Sequence, residues 1–144
     1  MKKILRKAAD EDYEAFRVLQ TERYYGDDRD ARAMIDMMWS IRDSEDMCIY
    51  TIQPEDVPAG FIVVSNPLGS MPNVGIDVID RFQNRGLATE ALRQLPCRRF
   101  KFETAEDNDP ANRVAGKLGM KVLGEENIEG YRFIIWHMTE QCEV

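Results

Sequence analysis

The stretch Val74–Leu95, VGIDVIDRFQNRGLATEALRQL, narrows the fold more than any other part of this chain. Val74, Ile76 and Val78 alternate with Gly75 and Asp77, the period of a strand that buries one face. The alternation stops at Asp80. Beyond Gly86 the apolar residues fall at Leu87, Ala91, Leu92 and Leu95, the spacing of one helical face. Between the two lies Gln83-Asn84-Arg85-Gly86-Leu87-Ala88. A loop that opens into a helix offers backbone N–H groups with no partner inside the helix, at the positive end of its dipole. Such a loop suits an anion, and phosphate in particular. Gly86 lets the backbone approach a ligand closely.

The rest of the chain falls into elements around this unit. Ile4–Ala8 reads as a first strand. Asp10 then looks like the N-cap of an amphipathic helix through Tyr13, Phe16, Leu19 and Gln20, with Glu11 and Asp12 favoured in its first turn. Gly26-Asp27-Asp28 breaks that helix. A second helix runs from about Asp30 to Arg42 on the stripe Ala31, Met34, Ile35, Met38 and Ile41. Met47–Ile52 and Gly60–Val64 read as a hairpin about the turn-rich segment Pro54–Gly60, and Asn66-Pro67-Leu68-Gly69 leads into the strand at Val74.

Pro96 should end the helix that follows Gly86. Arg99–Thr104 alternates again, with Phe100 and Phe102 opposite Lys101 and Glu103. Asp109 followed by Pro110 reads as N-cap and first helical position, Ala111, Val114, Ala115 and Leu118 as the buried stripe, and Gly119 as the C-cap. Met120–Leu123 and Tyr131–Met138 are two last strands, joined by an acidic connection, Gly124–Gly130. The order β-α-α-β-β-β-α-β-α-β-β predicts an α/β (α+β) fold. Residues 1–144 form one domain, with a mixed seven-stranded sheet flanked by helices.

Composition sets outer limits. At 144 residues with 44% apolar and 31% charged, the chain has the make-up of a soluble globular protein. It holds no apolar run of the roughly 20 residues needed to span a membrane, and its basic N-terminus lacks a signal peptide's apolar stretch. Cys48, Cys97 and Cys142 have neither even number nor metal spacing, so reduced thiols in a cytoplasm are expected. His137 is the one histidine, which leaves no His-based metal cluster.

The net charge of −7 argues against general nucleic-acid binding. Yet Arg81, Arg85, Arg93, Arg98, Arg99 and Lys101 face only Glu90 within Arg81–Lys101. That local +5 leaves −12 for the rest of the chain. A positive segment around the loop suits a polyanionic ligand.

Gln83-x-x-Gly86-x-Ala88, set between a strand and a helix, resembles the Q/R-x-x-G-x-G/A signature of the GNAT superfamily, the acyl-CoA-dependent N-acyltransferases. Thr89-Glu90-Ala91-Leu92 is similar to the branch that includes ribosomal-protein N-acetyltransferases. A second motif, Asn108-x-x-Ala111-x-Arg113-Val114-Ala115-x-Lys117-Leu118-Gly119-Met120, resembles the family's N-x-x-S/A-x-x-V-x-x-K-L-G-F segment, with Met120 in place of Phe. The element order matches the family's as well.

The resemblance implies acetyl-CoA or a related acyl-CoA as cofactor. The amides of Gln83, Asn84, Arg85, Gly86, Leu87 and Ala88 would hold its pyrophosphate. The backbone of Ile76 and Val78 would pair with the pantetheine arm, which Asn108 would also contact. Arg85 and Arg113 are candidate phosphate partners, each equally readable as a surface charge. The implied chemistry is direct attack of a primary amine, from a small molecule or a protein, on the thioester. That attack needs a neutral amine, an oxyanion donor and a proton for the thiolate. The Val78 N–H is the expected oxyanion donor.

Glu103 is the first candidate base, matching a catalytic Glu that several family members carry five residues before the motif Asn; a solvent-facing carboxylate is the plainer reading. Asp77, mid-strand beside the cofactor arm, is the second. The proton donor is unassigned, because Ala115 and Ala111 stand where relatives carry Tyr and Ser. Tyr131, Ser65 and Ser70 are the remaining hydroxyls considered, with water the other option. That gap keeps a second reading open, an acyl-CoA-binding module with little or no catalysis, and behind it a purely structural domain. Acid at Asp27, Asp28, Asp30, Asp43, Glu45, Asp46, Glu125 and Glu126 in or beside loops would attract a cationic amine. Trp136 and the run Phe133-Ile134-Ile135 serve a core or a homodimer interface equally well.

Overall fold

A computed structural model describes residues 2–139. The element order is the one the sequence predicts. Strands β1 (Leu5–Lys7), β2 (Met47–Ile52), β3 (Gly60–Ser65), β4 (Asn73–Val78), β5 (Phe100–Ala105), β6 (Lys121–Ile128) and β7 (Tyr131–Met138) form one seven-stranded sheet in the order β1-β2-β3-β4-β5-β7-β6. Every neighbouring pair is antiparallel except β4 and β5, which are parallel. Helices α1 (Tyr13–Gln20), α2 (Asp28–Ser40), α3 (Leu87–Gln94) and α4 (Asp109–Lys117) complete the fold.

Alternation along the strands divides the core in two. On one face Ala91, Leu92 and Leu95 after α3 and Ala115 of α4 pack on Ile62, Val64, Val74, Phe100 and Phe102. On the other, Phe16 and Leu19 of α1 and Ala31, Ile35 and Trp39 of α2 pack on Ile49 and Phe61. Gln94 closes α3 onto the N-terminal segment. Its Oε1 accepts from Ile4 N (2.8 Å) and Leu5 N (3.2 Å), and its Nε2 donates to Lys2 O (2.8 Å).

Four expectations at element ends are corrected. The N-terminus of the first helix belongs to Asp12, not Asp10: residues 10–12 form a 3₁₀ turn, and the Asp12 carboxylate accepts from Ala9 N at 2.9 Å. The second helix starts at Asp28, capped by Asp27, which accepts from Arg29 N at 2.8 Å. Asn108 rather than Asp109 caps α4, its Oδ1 accepting from Ala111 N, and Pro110 falls one position inside the helix. The acidic segment Gly124–Gly130 is mostly strand. β6 runs to Ile128, and only Glu129 and Gly130, with φ of 51° and 85°, form the turn. Two successive positive φ values make the hairpin turn that matches strand twist. Glu125 and Glu126 escape an alternation-based reading because β6 is an exposed edge strand, where charge is tolerated.

Cys48 and Cys97 are half-buried, and the Cys97 Sγ lies 3.0 Å from the Arg99 carbonyl oxygen, to which it donates. Cys142 lies outside the described residues. Trp136 is half-buried against the α3–α4 side of the core, and its Nε1 donates to Thr104 Oγ1 at 3.0 Å. No helix among the described residues is long and apolar enough to cross a membrane.

Candidate functional site

The site begins where two strands part. β4 pairs with β3 along its whole length, from Ser65↔Asn73 to Gly60↔Val78. Its pairing with β5 covers only Asn73↔Lys101 and Val74↔Phe102. Lys101 N donates to the Pro72 carbonyl (2.7 Å), and Ile79 N donates to Ala59 O on the opposite side (2.8 Å). Backbone groups point alternately to either side of a strand. Those of Ile76 and Val78 therefore face the β5 side, beyond the last registered pair. A ligand bearing amides fits such a gap, because it can take the place of the missing strand.

At the end of β4 the chain turns through Asp80–Phe82 into the loop. Phe82 is buried, and the Arg81 and Arg85 guanidinium groups lie 4.8 and 5.4 Å from its ring centre. Asn84 (φ 64°) and Gly86 (φ 74°) are both left-handed, which bends the loop over the start of α3. The first bond within α3 is Glu90 N to Gly86 O, so the N–H groups just ahead of Glu90 have no partner inside the helix. The loop thus has an anion-binding form, with Gln83, Asn84 and Arg85 exposed.

The basic run Arg81–Lys101 does not gather here as a whole. Arg93 sits in the last turn of α3 near Glu90 (3.9 Å), Arg98 and Arg99 follow that helix, and Lys101 belongs to β5. Only Arg81 and Arg85 remain at the loop. Arg113 is exposed on α4, and Asn108 sits at the C-terminal end of β5 as the α4 cap.

The two carboxylate candidates lie on the sheet face that α1 and α2 share. Residues in register on parallel strands point to one face, so Gly75 and Asp77 share theirs with Lys101 and Glu103. Glu103 is exposed. Asp77 is covered, with 14% of its side chain accessible. Tyr24 Oη donates to its carboxylate, at 2.8 Å from Oδ2 and 3.0 Å from Oδ1, and Arg23 Nη1 lies 3.7 Å from Oδ1. Burial raises the Asp77 carboxyl above its ordinary range, although Tyr24 and Arg23 pull the other way. Burial and the Asp77 charge likewise raise the Tyr24 hydroxyl.

Arg23 and Tyr24 were invisible to pattern reading. They lie in Thr21–Tyr25, where α1 widens into a π-helical turn whose closing bond runs from Gly26 N to Thr21 O (2.8 Å). Gly26, at φ 71°, ends it. Such turns recur at functional sites. The only sequence signal is Arg-Tyr-Tyr before a glycine, which an ordinary helix end shows equally well. Arg23 also donates to the Val78 carbonyl and to Asp80, both at 2.7 Å. Gln83 Nε2 donates to the same carbonyl at 3.1 Å. The end of β4 is thereby tied to the first helical region and to the loop together.

Among the solved structures similar to this chain is a GNAT-family acetyltransferase from Bacillus cereus, at 21% identity, covering 99% of this chain and 100% of that one with a TM-score of 0.77. The ribosomal L7/L12 α-N-protein acetyltransferase RimL, in complex with coenzyme A, is similar at 16% identity, with 99% and 97% covered and a TM-score of 0.76. The microcin C7 self-immunity acetyltransferase MccE, in complex with acetyl-CoA and AMP, is similar at 17% identity, with 96% and 93% covered and a TM-score of 0.73. No curated protein sequence matches the chain significantly. The family model described as "Acetyltransferase (GNAT) domain" matches residues 3–121, so the chain belongs to the GNAT acetyltransferase family.

Proposed function

We propose that the protein is an acetyl-CoA-dependent N-acetyltransferase acting on a primary amine of a small molecule or a protein, with residues 1–144 as one catalytic domain. The observation that carries this reading is the parting of β4 from β5, with the Ile76 and Val78 backbone facing the gap and the gap ending at the Gly86 loop. The fit is chemical as well as spatial: amide-bearing chain along the gap, phosphate at the loop.

The backbone of Gln83 to Ala88 would bind the pyrophosphate, with Arg85 and Arg113 as charge partners. Ile76 and Val78 would bind the pantetheine arm. Asn108, whose Oδ1 is committed to the α4 cap, keeps its Nδ2 to donate to that arm. Bound acetyl-CoA supplies an activated acyl group. The Val78 N–H would stabilise the oxyanion. The Val78 carbonyl already accepts from Arg23 and Gln83, so Val78 would offer the ligand its N–H rather than its carbonyl.

Of the two carboxylates, we assign the base to Asp77, because a covered carboxylate of raised pKa accepts a proton more readily than an exposed one. Glu103, exposed on the same face, would attract the cationic acceptor. The free thiol of Cys48 supports a cytoplasmic location. Likeness to RimL and the Thr89-Glu90-Ala91-Leu92 segment support the ribosomal-protein branch.

The deciding experiment is thermal unfolding with and without excess acetyl-CoA. Ligand at about 100 times its Kd adds about 2.7 kcal/mol, a rise of several degrees for a chain of this size. No shift at millimolar acetyl-CoA overturns the reading. A binding module without turnover is favoured by one observation, Ala111 and Ala115 at the positions of the family's hydroxyls. A panel of amines assayed for released CoA thiol separates the two.

A further inference from the structure

The Asp77 carboxylate has the Tyr24 hydroxyl as its hydrogen-bond donor. The Asp77 side chain is 14% accessible, and the group bonded to its carboxylate is a hydroxyl on a residue that is itself 60% exposed. The covered proton acceptor and the hydroxyl of the more exposed Tyr24 lie in series, 2.8 Å apart. We propose that Tyr24 is a further catalytic residue, relaying the proton from the acceptor amine to Asp77. This rests on the acetyl-transfer reading above and adds to it a group that no motif assigns.

The relay balances without an outside reagent. As the acceptor nitrogen bonds to the acyl carbon, an N–H bond breaks and its proton passes to Tyr24 Oη. The original Tyr24 proton passes along the existing hydrogen bond to Asp77 Oδ2. Tyr24 is neutral before and after, and Asp77 ends neutral. The C–S bond breaks with its electron pair on sulfur, and the thiolate takes a proton from water. Asp77 then returns its proton to solvent by the same path.

A relay fits a phenol whose pKa is raised, since the ionised form is never needed. The other charged groups around Asp77 are Arg23 from the same turn and Asp80 through Arg23, while Glu103 and Lys101 share its sheet face on β5, beyond the point where the strands part. Arg23 is a positioning residue: its bonds to the Val78 carbonyl and Asp80 hold the turn, and with it Tyr24, against the strand.

The test is Tyr24→Phe, which keeps the ring and removes the relay. We expect kcat/KM for the best amine of the panel to fall about 10²-fold. Losing the hydroxyl also removes a bond that holds the Asp77 pKa down, so the acidic limb of the pH–rate profile should move to higher pH. The stabilisation by acetyl-CoA should persist, and Asp77→Asn combined with Tyr24→Phe should be no slower than Asp77→Asn alone. An active wild-type chain whose Tyr24→Phe variant keeps both rate and pH profile overturns the relay alone. A wild-type chain that binds no acetyl-CoA and releases no CoA thiol overturns the acetyl-transfer reading, and the relay with it.

Discussion

Asp12 and Asp77 are both covered aspartates beside an arginine, yet burial acts on them with opposite results. Asp12 is 1% exposed. Arg6 grips it with two bonds (2.7 and 2.9 Å), and Ala9 N and Thr51 Oγ1 each donate at 2.9 Å. Burial alone would raise its pKa, but these donors outweigh burial and hold it below the ordinary range. Asp77 has one hydroxyl donor and an arginine at 3.7 Å, and there burial wins. The count of donors decides the outcome. A carboxylate with four donors pins β1, β2 and the start of α1 together, whereas one left short of donors stays ready to take a proton.

The sharpest break between the two is Asp77→Asn. Turnover should fall about 10³-fold, within the range for loss of a general base. Stability should hold or rise. The folded pKa of Asp77 is raised, so its stabilising contribution is full below the unfolded pKa and is lost as pH rises through the folded value; near neutral pH the ionised group is a cost. A clear drop in the unfolding midpoint at pH 7 would show Asp77 to be another structural anchor.

Asp12→Asn should do the reverse. It leaves Arg6 and the neighbouring donors without their anion and should cost about 3 kcal/mol, read as a midpoint lowered by roughly 10 °C. Specific activity of the folded fraction should survive. Because the folded pKa is depressed, the stabilisation is present above the unfolded value and lost as pH falls through the folded one. The difference in stability between wild type and variant should therefore shrink on acidification. A constant difference down to the acid transition would contradict the assignment.

Gly60 links the strands under Asp77 and gives the next effect. A Cβ there would sit 2.4 Å from the Asp77 carbonyl oxygen, too close for backbone to absorb without moving. Gly60→Ala should cost about 2 kcal/mol, as overpacking does, and should lower turnover by displacing β4. Unchanged stability would mean that β3 and β4 are free to spread.

How legible each region was in the sequence follows the same physics. The sheet, its helices and the Gly86 loop were readable because burial imposes a period, and Val74, Ile76 and Val78 obey it. The Asn108 cap and the β6 edge were misread. Asp109-Pro110 offered a plausible cap one residue too late, and Glu125 and Glu126 sit where exposure removes the period. Asp77 could be singled out as a carboxylate inside an apolar strand. Its partners could not, since Arg23 and Tyr24 are 54 and 53 residues distant in sequence and depend on a π-helical turn that has no composition of its own. Asp12 was read as a first-turn acid; its bond to Thr51 spans 39 residues and is equally invisible.

Glu103 carries the smallest expected effect and bounds the comparison from outside, as a carboxylate with full access to water. If it serves only to attract a cationic amine, Glu103→Gln should act on KM. A unit charge pair about 4 Å apart in water is worth ~1 kcal/mol, so the rise should be about fivefold at low ionic strength. Salt should erase it, because exposed charges are screened over roughly 10 Å at 0.1 M. A fall in kcat of about 10²-fold that persists in salt would place the base at Glu103 after all. Asp77 would then be left as the anchor of the π-helical turn, and donor count alone would no longer tell an anchoring carboxylate from a reactive one.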